Sequence, residues 1–168
     1  MKIKRSICAA LAASVALIAP SNATVDAGTP NLIRTAEEYG ATFRYNPPGC
    51  GGRWLGRYRL SDSRIELCYR GTPGAKDHDT VRHEVWHFVQ HCASRRRGHR
   101  GYLVPLSRDT AKRNVWISQY LSNTRIQSIR SMYRPAVHDV ELEAFAAASH
   151  YSANQIAGVL RQWCIKPT

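Results

Sequence analysis

No two cysteines in this chain are spaced as CxxC, which argues against a zinc site built from thiolates. Beyond the N-terminus, no stretch approaches the roughly 20 apolar residues that a membrane helix needs. There is no internal repeat and no low-complexity segment. Acidic residues are few, 12 against 24 Lys and Arg. The basic residues nevertheless lack the interleaved aromatics of a nucleic-acid-binding module, so no nucleic-acid partner is expected.

What is present starts with an export signal. Met1 to Arg5 is basic, Ile7 to Ala19 is apolar or small throughout, and Ser21-Asn22-Ala23 offers small residues for cleavage. The reading is a signal peptide over 1–23 followed by a single domain over 24–168, in a secreted or periplasmic protein. Cys8 leaves with the signal, and Cys50, Cys68, Cys92 and Cys164 remain. An oxidising compartment predicts two disulfides from them. Three pairings are possible, and sequence proximity favours Cys50 with Cys68 and Cys92 with Cys164. Lys2, Lys4 and Arg5 also leave, so the mature chain keeps 21 basic against 12 acidic residues, a net of +9. The densest cluster is Arg95-Arg96-Arg97-Gly98-His99-Arg100. It reads as a solvated loop or as a contact with an anionic surface, whether lipid, cell-wall polymer or acidic peptide.

Local patterns place the elements. Leu32, Ile33, Ala36 and Tyr39 recur at helical spacing, and Gly40 marks a stop. Thr42 to Tyr45 reads as a strand, and Arg53 to Leu60 with Arg64 to Tyr69 as a hairpin. Val81, Val85, Phe88, Val89 and Cys92 form the apolar stripe of a further helix, with Asp77, Asp79 and Thr80 as candidate caps. Arg108 to Ser131 is one long helix or two short ones, and Ala136 to Tyr151 is an alanine-rich helix. Ser152-Ala153-Asn154-Gln155 is a capping-box pattern that opens a last helix ending at Trp163.

Within the valine-striped helix stands His83-Glu84-Val85-Trp86-His87, an HExxH pattern. Residues four apart on a helix share a face, so His83 and His87 can aim at one zinc ion while Glu84 stands beside them as general base. The plain alternative is a core helix whose histidines hydrogen-bond elsewhere. Zinc needs a third ligand, and the other histidines, the aspartates, Glu141 and Glu143 are the candidates. His91 is a poor one. It lies about 12 Å from His83 along the axis, too far for three successive turns to converge on one ion with bonds near 2 Å. Glu141-Leu142-Glu143-Ala144 carries two carboxylates on an apolar helix, where they are expensive unless paired or metal-bound. They differ by about 200° around the axis, so one of them faces the metal.

With these two motifs the chain resembles the gluzincin zinc metallopeptidases, and among them the small secreted members. The likeness is confined to Thr80–Cys92 and Tyr133–Ala147. In that clan HExxH is completed by a glutamate on a later helix, often in an ExxA setting, which points to Glu141. Phe145 stands where some of these families carry an aspartate, so the partner of a ligand is missing from the pattern. The resemblance implies an α+β, minimal zincin-like domain. A short antiparallel sheet would pack on the HExxH helix, with further helices after it and a strand edge for an extended peptide substrate. It also implies an electrophile for the oxyanion, for which Tyr133, His138 and Arg134 are the nearby candidates. The expected activity is peptide-bond hydrolysis with zinc as cofactor. The alternatives are a zinc-stabilised binding domain without turnover and a cationic surface-binding protein.

Overall fold

Val81, Val85 and Val89 recur every four residues along a 22-residue helix, Ala75–Arg96, and all three are wholly buried. This helix is the axis on which the other elements pack. The computed structural model describes residues 27–50, 52, 54–69 and 74–167. The expected signal peptide lies outside the described residues.

The elements follow the order α1 (Thr29–Glu38), β1 (Thr42–Tyr45), β2 (Gly56–Arg59), β3 (Arg64–Leu67), α2 (Ala75–Arg96), α3 (Thr110–Tyr120), α4 (Asn123–Met132), α5 (His138–His150) and α6 (Ala153–Trp163). Among the described residues the fold is therefore α+β, six α-helices with one small sheet. Helix α1 carries Pro30 in its first turn, where a missing N–H costs nothing, and it ends before Gly40, whose φ of +95° suits only glycine. Between α3 and α4 the chain breaks at Leu121-Ser122, giving two short helices. Asp109 caps α3 by accepting from the Lys112 N–H at 3.0 Å, and Ser122 caps α4 by accepting from the Arg125 N–H at 3.2 Å. The capping box at α6 is reciprocal: Ser152 N–H donates to Gln155 Oε1 at 2.9 Å, and Gln155 N–H donates to Ser152 Oγ at 3.3 Å. Such caps contribute about 1 kcal/mol each.

The start of α2 differs from the expectation. Gly74 is the N-cap, and Asp77 reaches back to accept its N–H at 2.7 Å. Asp79 and Thr80 lie inside the helix, where Asp79 pairs with Arg82 and the Thr80 hydroxyl donates to the Lys76 carbonyl at 2.8 Å.

The sheet is also a correction, being mixed where an antiparallel one was expected. Its order is β1-β3-β2. β2 and β3 form the hairpin, but β1 joins the far side of β3 in parallel, Thr42 opposite Arg64 and Tyr45 opposite Leu67. The physical reason is the connection from β1 to β2. It carries the chain past β3's position before the hairpin begins, which leaves β2 as an edge.

Two disulfides clamp this arrangement. Cys50–Cys68 ties the β1–β2 connection to the end of β3, and Cys92–Cys164 ties α2 to the end of α6 across 72 residues. Chain-entropy reasoning gives about 3 kcal/mol for the shorter loop and about 4 kcal/mol for the longer. Among the described residues no helix is long and apolar enough to cross a membrane. The disulfides are compatible with a place outside the reducing cytosol.

The core has two parts. The first surrounds α2, with Leu32, Ile65, Leu67, Ile156 and Leu160 fully buried against its valines. The second lies between α3, α4 and α5 and holds Ile117, Leu121, Ile129, Leu142 and Ala146. Helix α5 belongs to both, so its polar residues are fixed against α2 by packing on either side.

Candidate metal centre

His83 and His87 lie one turn apart on the face of α2 that meets α5, and both are buried. Their Nε2 atoms are 3.0 Å apart. Glu141, in the first turn of α5, brings Oε2 to 3.4 Å from His83 Nε2 and 3.5 Å from His87 Nε2. These three ligand-type atoms form a triangle aimed at one point. A tetrahedral ion with bonds of 2.0–2.1 Å has ligand-to-ligand edges of about 3.3 Å, so the triangle matches one face of such a polyhedron. The cluster is not contained in the pentapeptide, because its third member comes from a different helix.

The charges and orphan atoms agree with a cation there. Burial pushes the Glu141 carboxyl up, but the close approach of His83 and His87 to its Oε2 more than reverses this and holds it down at about 2. Burial pulls His87 down, and the same Glu141 contact outweighs it and raises the imidazole to about 9. Glu84 is buried, and desolvation raises its carboxyl above the ordinary value despite the two histidines. Glu84 Oε2, Glu141 Oε2 and His83 Nδ1 are buried without a hydrogen-bond partner. Leaving such atoms unmet costs about 1–3 kcal/mol each, so their clustering fits a centre completed by a ligand.

Each member is oriented by a neighbour. His87 Nδ1 donates to Gln90 Oε1 at 2.8 Å, which leaves the Nε2 lone pair for the centre. Gln90 is fully buried, and its amide nitrogen donates to the Val140 carbonyl at 3.0 Å and to Glu143 Oε2 at 2.9 Å. Glu143 also accepts the backbone N–H groups of Leu106 and Ser107 at 2.9 Å and 3.3 Å. Of the two glutamates, Glu141 therefore meets the histidines while Glu143 anchors a buried network behind them. His83 has no such hydrogen bond. Phe145 packs against its ring with centroids 4.3 Å apart, and Arg125 lies over the Phe145 ring at 5.0 Å. An aromatic plane thus positions this imidazole by contact.

Strand β2 closes the other side. The Cys68 N–H donates to the Leu55 carbonyl, so by alternation the backbone groups of Gly56 and Tyr58 face the free edge of the sheet. The Tyr58 backbone faces Glu84 and lowers its carboxyl slightly against the effect of burial. At Gly56 a Cβ would sit 2.4 Å from Thr80 Cγ2 and 2.9 Å from Glu84 Oε1, so glycine is required for the strand to come this close.

Tyr133 is half-buried beside the cluster. Burial, then the Glu141 and Glu84 charges, raise its phenol above the ordinary value, so the proton stays on. His138 is directed elsewhere: its Nε2 bonds the Tyr133 carbonyl at 2.9 Å, which ties down the turn before α5. Arg134 is exposed on the same turn. His91 is likewise outside the cluster, with Nδ1 2.6 Å from the Tyr58 hydroxyl. The basic loop divides. Arg97 donates to the Pro105 and Leu106 carbonyls and lies over Trp163, and Arg96 donates to the Gln162 carbonyl. Arg95 and Arg100 make no hydrogen bond or ion pair among the described residues.

Sequence reasoning missed Gln90 and Gly56. A glutamine in the buried stripe three residues after His87, and a glycine inside a strand next to the motif helix, were the available signals. No protein-family model matches the chain, none of the curated proteins matches it, and no solved structure matches its fold.

Proposed function

We propose that the protein is an exported zinc metallopeptidase of the gluzincin type, hydrolysing peptide bonds on a minimal zincin-like arrangement of α2, α5 and the sheet. The observation that carries this reading is the triangle of His83, His87 and Glu141, whose edges of 3.0, 3.4 and 3.5 Å suit a zinc ion with a fourth position open. Zinc bound there would supply Lewis acidity and lower the pKa of a water molecule. The remaining chemistry belongs to the chain. Glu84, raised by burial and lying next to the ligands, takes a proton from the attacking water and passes it to the leaving amine. Tyr133 keeps its phenolic proton, and we assign it as the donor to the oxyanion. The free edge of β2 runs past Glu84 and suits an extended peptide backbone. An anionic surface, if one is used, would be met by Arg95 and Arg100.

Glu84 favours turnover over a purely structural metal, because a structural site needs ligands and not a base. The test is metal analysis of the exported protein together with a peptidase assay against a broad peptide library, with and without chelator. One zinc per chain and chelator-sensitive cleavage are expected. One zinc without any cleavage would move the protein to the zinc-stabilised binding domains, and no zinc at all would reject the site.

A further inference from the structure

A cavity of about 540 Å³ opens at the C-terminal end of α2, in a part of the molecule that the metal cluster does not use. Tyr39, Phe88 and Trp163 are among its lining residues and give it an aromatic, apolar part. Its charged groups are of one sign. Arg95, Arg96 and Lys166 are cations, and among the described residues no carboxylate lines the space. Lys166 is held by Glu38 at 3.0 Å, and Arg96 by the Gln162 carbonyl at 2.9 Å, which fixes both at the rim. Arg95 has no such partner among the described residues.

His91 completes the set as a further donor. The Tyr58 hydroxyl lies 2.6 Å from His91 Nδ1. Burial raises the Tyr58 phenol, and burial with the Arg95 charge lowers His91, so the phenol keeps its proton and the imidazole stays neutral. Tyr58 must then donate to Nδ1, and the ring proton of His91 sits on Nε2, the nitrogen left for the cavity.

A space whose charged lining groups are all cations, with the His91 N–H beside them and aromatic residues in its walls, favours an anionic acceptor. We infer that this cavity binds a small molecule carrying an oxyanion, carboxylate or phosphate, on a flat apolar body. The oxyanion is held by Arg95 and His91 Nε2–H, and the body lies between the aromatic side chains.

Isothermal titration calorimetry on the exported chain at low salt tests this, with phenyl phosphate and phenylacetate as probes and benzyl alcohol as the uncharged control. At least one anion should bind saturably, and benzyl alcohol should bind at least about tenfold more weakly. The tighter anion names the source of the oxyanion. Arg95→Gln should lower anion affinity about tenfold, as should His91→Phe, which removes the Nε2–H. Arg108→Gln, an exposed cation that does not line the cavity, should leave it unchanged. Equal affinity for benzyl alcohol, an equal loss in the Arg95 and Arg108 variants, or no saturable binding of either anion overturns the inference. Because Arg95 is exposed on the last turn of α2, its glutamine variant is expected to fold, and its circular dichroism and melting temperature should match wild type.

Discussion

His87 Nδ1 and Gln90 Oε1 are 2.8 Å apart on the same face of α2, and neither residue has meaningful access to solvent. Gln90 therefore decides which nitrogen of His87 faces the centre. Replacing it by leucine keeps the volume but removes the acceptor, and outer partners of this kind are typically worth 10- to 100-fold in metal affinity. Zinc affinity of Gln90→Leu should fall by about that factor, measured by competition with a chromophoric chelator. Wild-type affinity in this variant would show that packing alone orients the ring.

The two glutamates of α5 should separate by phenotype. Glu141→Gln loses a ligand and should lose zinc while keeping the fold. Glu143→Gln weakens the acceptor of the Leu106 and Ser107 amides and of Gln90, a charge-assisted set worth about 1.5–3 kcal/mol per bond, so it should lower the melting temperature more than it lowers zinc content. A swap of these two outcomes would reverse the assignment.

Glu84→Gln tests the proposed general base. General acid–base catalysis contributes about 10²- to 10⁴-fold, so the variant should retain zinc and lose at least that much rate. Near-wild-type hydrolysis with zinc bound would remove Glu84 from the chemistry.

Gly56→Ala probes the approach of β2 to α2. Its Cβ would overlap Thr80 Cγ2 and crowd the Glu84 carboxylate, which must shift or push the strand away. Overpacking of this sort costs about 1–3 kcal/mol. Loss of stability and of activity together is expected, and the double variant Gly56→Ala/Thr80→Ser should recover part of the stability, because serine lacks the Cγ2 methyl. No change in either measurement would mean that the strand has room.

Zinc uptake should release a proton over an unusual pH range. His87 is raised from the ordinary 6.5 to about 9 by Glu141, so the ring is protonated at pH 7 to 8 until a cation displaces that proton. The sign follows: apparent zinc affinity climbs with pH through neutrality and levels off only near pH 9. Calorimetry in two buffers of different ionisation enthalpy counts the protons. Affinity that levels off near pH 6.5 would show that His87 carries no such proton.

Much of this architecture was legible in the residues themselves, because its signals are local. The valine stripe of α2, the stop at Gly40 and the box at Ser152 and Gln155 depend on neighbours within a turn or two, and the His83–His87 spacing fixes a shared face whatever surrounds it. Proximity in sequence favoured the disulfide pairs that form, though three pairings were open. Contacts between distant segments were a different matter. Glu141 and Glu143 offer the same carboxylate two residues apart, and only the docking of α5 between the two cores turns the first toward His83 and His87 and the second toward Gln90. The parallel pairing of β1 with β3 and the Tyr58–His91 contact likewise join segments far apart in sequence. A one-dimensional pattern records which face of an element is apolar, while the partner that face meets is set by the packing of the whole chain.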